Sequence, residues 1–219
     1  MTRQVFFLFL ILVAIPVTCA MRVPQHKNAP KVVARSVDTI CYTEEYFVLA
    51  SNPKIKHGKY ALIHKENPIE EGQYTFGKRT GLWQFYTAEN ELELEYDYDN
   101  NKPVKMLPHI GHKYSEDTYP PIFLGSPLHI RHYICTHTTY PLHERGEFKN
   151  CQVDVAMHIN SEGRFTGYHI QRFSKPDFNQ SVMNAMRKIP KNWRWVPAKL
   201  NGKCIDSEYV VSIVFEYVQ

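Results

Sequence analysis

Cys151-Gln152-Val153-Asp154-Val155-Ala156-Met157-His158-Ile159, followed by Asn160-Ser161-Glu162-Gly163, decides the fold of this 219-residue chain. Val153, Val155, Met157 and Ile159 alternate with mostly polar neighbours, the period of two that a half-buried strand requires. The next four residues carry turn chemistry, with Gly163 free to take a positive φ. Residues 165–173 return as a second strand. Phe178, Val182, Ala185, Met186 and Ile189 then recur at helical spacing, from a predicted N-cap at Asp177 to a stop at Pro190. Beyond Trp193, Trp195-Val196-Pro197 and the turn Asn201-Gly202, residues 209–218 read as a closing aliphatic strand. The predicted order is short helix, strand, strand, helix, strand. That is an α+β fold, a three-stranded antiparallel sheet with its helices on one face.

Several motifs in this region have a familiar order. They are Tyr140-Pro141 ahead of the first strand, Val153-x-Val155 within it, Gly163 in the hairpin, and Ile189-Pro190 closing the helix. Trp195-x-Pro197-Ala198-Lys199, Asn201-Gly202-Lys203 and Ile213-x-Phe215 follow. Together they resemble the C-terminal domain of TonB, the periplasmic part of an energy transducer that contacts outer-membrane transporters. The resemblance covers about residues 130–219 and little before them. Cys151 stands where the family usually has glycine, and Phe148-Lys149-Asn150 replaces its usual glycine-containing turn. The resemblance implies a binding domain whose last strand is an exposed edge. Here that strand comprises Tyr209, Val210, Val211, Ser212, Ile213, Val214 and Phe215.

Upstream, His57-Gly58-Lys59-Tyr60-Ala61-Leu62-Ile63 and Thr80-Gly81-Leu82-Trp83-Gln84-Phe85-Tyr86 share one shape. Each is a glycine followed by alternating aromatic and aliphatic residues. Glu71-Gly72-Gln73-Tyr74-Thr75-Phe76-Gly77-Lys78 lies between them, echoed by Tyr96-Asp97-Tyr98-Asp99-Asn100-Asn101-Lys102. This pattern resembles MORN repeats, β-hairpin units that bury an aromatic face only against their neighbours. The repeat region is expected over 40–107. Residues 108–129, rich in proline, read as an extended connector to the C-terminal domain.

The N-terminus reads as a targeting segment over residues 1–20. Arg3 precedes the apolar run 5–17, and Thr18-Cys19-Ala20 offers small residues for cleavage after Ala20. An uncleaved anchor and a lipid on Cys19 are the alternatives; the run is short for the ~20 residues a span needs. Each points to the cell envelope or periplasm. The net charge of +4 is spread along the chain, without a basic block, which gives nucleic-acid binding no support. Hydrophobic content of 43% excludes a disordered tail.

Cleavage would leave Cys41, Cys135, Cys151 and Cys204, an even number that permits two disulfides in three connectivities. The TonB-like topology puts Cys151 and Cys204 at opposite ends of antiparallel strands, ~20 Å or more apart. It makes Cys135 with Cys151 the more plausible pair. Free buried thiols are the other reading.

Candidate chemistry is sparse. His109, His112, His129, His132 and His137 cluster in sequence, but in a proline-rich stretch without Cys-x-x-Cys, so no metal site is assigned. His143 with Cys135 or Cys151 lacks the frame of a cysteine nucleophile. Asp97 and Asp99 alternate with Tyr96 and Tyr98 and face solvent. Trp195 is assigned to the core; Trp193 fits core or surface. No catalytic residue and no cofactor motif emerges. Two functional readings remain, and the first is an exported adaptor that takes an extended segment of an envelope or outer-membrane protein by strand addition. A membrane-anchored energy transducer is its variant. The second is an exported enzyme working through histidine and cysteine.

Overall fold

Short hairpins with local side-chain alternation build the first half of the chain. The computed structural model describes residues 29–39, 41–107, 115–141 and 151–216. Seven strands, β1 (Val32–Asp38), β2 (Thr43–Leu49), β3 (Asn52–His64), β4 (Asn67–Thr75), β5 (Lys78–Tyr86), β6 (Leu92–Asp97) and β7 (Lys102–Met106), pair antiparallel in chain order. The sheet therefore begins before residue 40, with an exposed β1. Two of its turns are tight. Lys65-Glu66 has φ of 47° and 70°, and Phe76-Gly77 has 48° and 81°. Positive φ at both central residues matches the right-handed twist of the flanking strands.

One face of this sheet is aromatic. The Trp83 ring lies 5.3 Å from Tyr60, 5.2 Å from Tyr74 and 5.8 Å from Tyr98, mostly tilted or edge-on. Gly72 makes this possible, because a Cβ there would stand 2.2 Å from the Trp83 ring. Neighbouring hairpins thus share one buried aromatic row, consistent with repeating units.

Within the stretch read as an extended connector, Tyr119, Ile122 and Phe123 are buried. Strand β8 (Ile122–Phe123) pairs with β11 (Trp195–Val196), Phe123 opposite Trp195 and Ile122 opposite Val196. Alternation along this ribbon sends Ile122 and Val196 into the aromatic core of the large sheet. It sends Phe123 and Trp195 into the second core. Tyr119 and Lys199 exchange backbone hydrogen bonds at 2.9 Å. Proline here ends regular strands without excluding burial, since backbone pairing with a distant segment satisfies the polar groups. The described residues from Lys31 onward form one compact unit.

The second core lies under a sheet of β10 (Phe165–Arg172), β9 (Cys151–Ile159) and β14 (Ser207–Phe215), in that spatial order. Helix α1 (Pro127–His137) starts at Ser126, whose Oγ accepts from the Leu128 N–H at 3.2 Å. It therefore begins inside the stretch assigned to the connector. Helix α2 (Pro176–Met186) starts two residues earlier than expected. Lys175 occupies the N-cap without a side-chain bond, and Asp177 lies in the first turn, where its charge complements the helix dipole. Phe178, Val182, Ala185, Met186 and Ile189 are buried, as is Trp195. Gly163 turns the β9–β10 hairpin at φ 72°, and its C=O accepts from the Trp195 N–H at 2.9 Å. A hairpin of β12 (Ala198–Leu200) and β13 (Lys203–Ile205) turns at Asn201-Gly202.

Candidate functional site

Strand β14 lies at one edge of its sheet. Its partner is β9, in register from Ser207 opposite Ile159 to Phe215 opposite Cys151. Among the described residues no strand pairs with its other side. Its side chains alternate as the sequence pattern dictates. Val211, Ile213 and Phe215 are buried, Tyr209 is half-buried, and Val210, Ser212 and Val214 are exposed. Phe215 packs edge-on against Phe178 at 4.7 Å, so α2 holds the end of the strand. Val210 and Val214 stay 48% and 51% exposed, apolar steps beside an open edge. An unpaired edge offers main-chain donors and acceptors to an incoming strand, and alternate side chains can select it.

On the outer face of the sheet, Asp154 lies beside Gln152, Ser212 and Arg172. Partial desolvation opposes its ionisation, but hydrogen bonds from Ser212 and Gln152 and the Arg172 charge outweigh it, so the carboxyl sits below its ordinary range. Farther along the same face, His158 of β9, His169 of β10 and Glu208 of β14 converge. They lie far apart in the sequence, and only strand pairing unites them. The readable signal was that all three fall on outward positions of their strands.

A cleft of about 800 Å³ opens between the aromatic face and the β8–β11 ribbon, lined in part by Tyr74, Arg79, Tyr98, Trp193 and Glu70. Glu70 is fully buried. Its carboxylate accepts from Arg79 Nη2 at 3.1 Å and the Ser126 N–H at 2.9 Å, and meets His129 Nδ1 at 3.2 Å. Burial by itself would raise its pKa; His129, Arg79 and Ser126 reverse the sign and hold it below the ordinary value. A carboxylate so fully committed is an anchor joining β4, β5 and α1, and is ill suited to passing protons at neutral pH. Nothing in the sequence distinguished Glu70 from its neighbour Glu71.

Among the described residues, the remaining histidine and cysteine candidates do not assemble. His129 faces Glu70, His132 packs edge-on to Tyr42 at 5.2 Å, and His137 stacks on Tyr133 at 4.1 Å. His109, His112 and His143 lie outside the described residues, as do residues 1–20. Cys41, Cys135, Cys151 and Cys204 are free thiols. Partial burial pushes the Cys135 thiol up, with the Arg131 charge only partly offsetting it, the opposite of an activated nucleophile. Trp193 is half-buried between Phe123 and Tyr133, at 5.0 Å from each.

In this region β9 pairs with β10 and β14, and the Asn201-Gly202 hairpin precedes β14. Residues 136–217 match the family described as Gram-negative bacterial TonB protein C-terminal. TonB C-terminal domains are cell-envelope binding domains that engage outer-membrane proteins and are not enzymes. The TonB-like region spans the end of α1 through β14, so the candidate edge falls within the match. The seven-stranded sheet lies outside it. No curated protein matches the chain. Among the described residues no helix is long and apolar enough to cross a membrane.

Proposed function

We propose that this chain is an exported protein-binding adaptor of the cell envelope. Its TonB-like region captures an extended segment of a membrane transporter or another envelope protein by strand addition to β14. The observation that carries this reading is the open edge of β14 within the matched region. Tyr209, Val211, Ile213 and Phe215 hold the strand to its core from one face, which leaves the edge rigid and available. Exposed Val210 and Val214 supply apolar contacts for alternate residues of the incoming strand. In this mode affinity comes chiefly from backbone hydrogen bonds, so single side-chain truncations weaken capture only modestly.

A proline placed where the N–H faces outward removes that donor and blocks the ladder. Alternation along the strand means that one of Val210→Pro and Val211→Pro meets this condition. The expected result is one variant that stays folded by circular dichroism and loses capture of the envelope partner in pull-downs. Unchanged binding by folded proline variants at both positions would overturn strand addition and move attention to the Trp193 surface.

A further inference from the structure

Three ligand-type side chains meet on the outer face of the three-stranded sheet, one from each strand. His158 Nε2 lies 2.8 Å from His169 Nδ1. Each of these nitrogens lies 3.7 Å from Glu208 Oε1. Strand pairing makes the arrangement. His158 stands directly opposite Glu208 across the β9–β14 pair. On the other side, an irregularity between Phe165 and Gly167 sets Gly167 opposite His158. A Cβ at that position would stand 3.5 Å from His158 Nδ1, an ordinary contact distance, so the His158 ring lies close beside the Gly167 backbone.

Two imidazoles and one carboxylate are ligands suited to a borderline divalent ion. In a tetrahedral zinc site with bonds of about 2.0–2.1 Å, neighbouring donor atoms stand roughly 3.3 Å apart. The observed separations bracket that value, so binding needs shifts of only about half an ångström. The three side chains are 44–47% exposed, which gives an ion direct entry. Their backbones belong to paired strands, and strands position ligands more accurately than loops do.

We propose that His158, His169 and Glu208 form a zinc-binding site that clamps β10, β9 and β14 together. Three protein ligands leave a fourth position, open to solvent, for water or a donor from another molecule. The inference is independent of strand addition, because it concerns the outer face and not the β14 edge.

Isothermal titration of the tag-free chain with Zn2+ alone, in a non-chelating buffer near neutral pH, tests it. The expected result is one equivalent bound with micromolar or tighter affinity. His158→Ala and His169→Ala should each weaken binding at least about tenfold, and Glu208→Gln by a smaller factor. His158→Gln, which keeps much of the side chain's bulk and polarity, guards against a folding defect and should lose zinc as His158→Ala does. His132→Ala should bind as the parent does. In the parent, imidazole 15N resonances of His158 and His169 should shift on zinc addition, a response that a simple His–His hydrogen bond does not give. Absence of binding, or binding that both alanine variants keep within about twofold, overturns the site and leaves a hydrogen-bonded histidine pair.

Discussion

Glu70→Gln keeps the shape of the buried side chain and removes its charge, which isolates the electrostatics of the anchor. Three donors converge on two carboxylate oxygens: Arg79, His129 and the Ser126 N–H. An amide offers one acceptor oxygen and turns a donor toward one of those groups. At least one donor is orphaned, at about 1–3 kcal/mol, and the others lose charge assistance at roughly 1 kcal/mol. Arg79 keeps the Tyr98 hydroxyl at 2.9 Å and the Leu124 carbonyl at 3.0 Å. Its side chain is 22% exposed, so water screens part of the loss. The expected cost is therefore about 2–4 kcal/mol, at or below the range for breaking a fully buried pair.

Urea unfolding followed by tryptophan fluorescence measures this directly. The pH dependence supplies a second check. Glu70 has a depressed folded pKa, so its contribution is complete above the unfolded value near 4.5 and is lost as pH falls through the folded value. The difference between parent and variant should be constant near neutrality and shrink below about pH 4.5. A difference under about 0.5 kcal/mol at pH 7, or one that persists unchanged in acid, would refute the assignment of Glu70 as an ionised anchor.

Two further expectations follow from the ribbon and the hairpin. Phe123→Ala in the full chain should cost about 3–5 kcal/mol, because the ring packs on Trp193 and Trp195 at 5.0 and 5.1 Å. Denaturation at the level of an exposed connector, within about 0.5 kcal/mol of the parent, would contradict its burial. Gly163→Ala should cost about 2 kcal/mol or more, since its Cβ would meet the Trp195 carbonyl oxygen at 2.0 Å and φ is 72°. An unchanged thermal midpoint would show that the hairpin does not depend on this contact.

Local periodicity was enough to read much of the C-terminal region. Val153, Val155, Met157 and Ile159 are all fully buried, and the apolar face of α2 is the one that the spacing gives. Gly163 and Asn201-Gly202 turn where turn chemistry places them. These features depend on residues within a few positions of one another, so short-range sterics and amphipathicity fix them. The start of α2 was displaced by two residues because Pro176 can begin a helix that Asp177 only charges. The burial of Tyr119, Ile122 and Phe123 required knowledge of what lay opposite: Ile122 and Phe123 divide between two cores only because β11 is there to pair with them. Glu70 gained its role from Arg79, Ser126 and His129, and His158, His169 and Glu208 met through strand register and one irregularity in β10. Sequence alone thus determined which segments alternate, turn and coil in the TonB-like region. Tertiary structure decided which distant side chains share an anchor, a core or a ligand site, because long-range register leaves no local period in the chain.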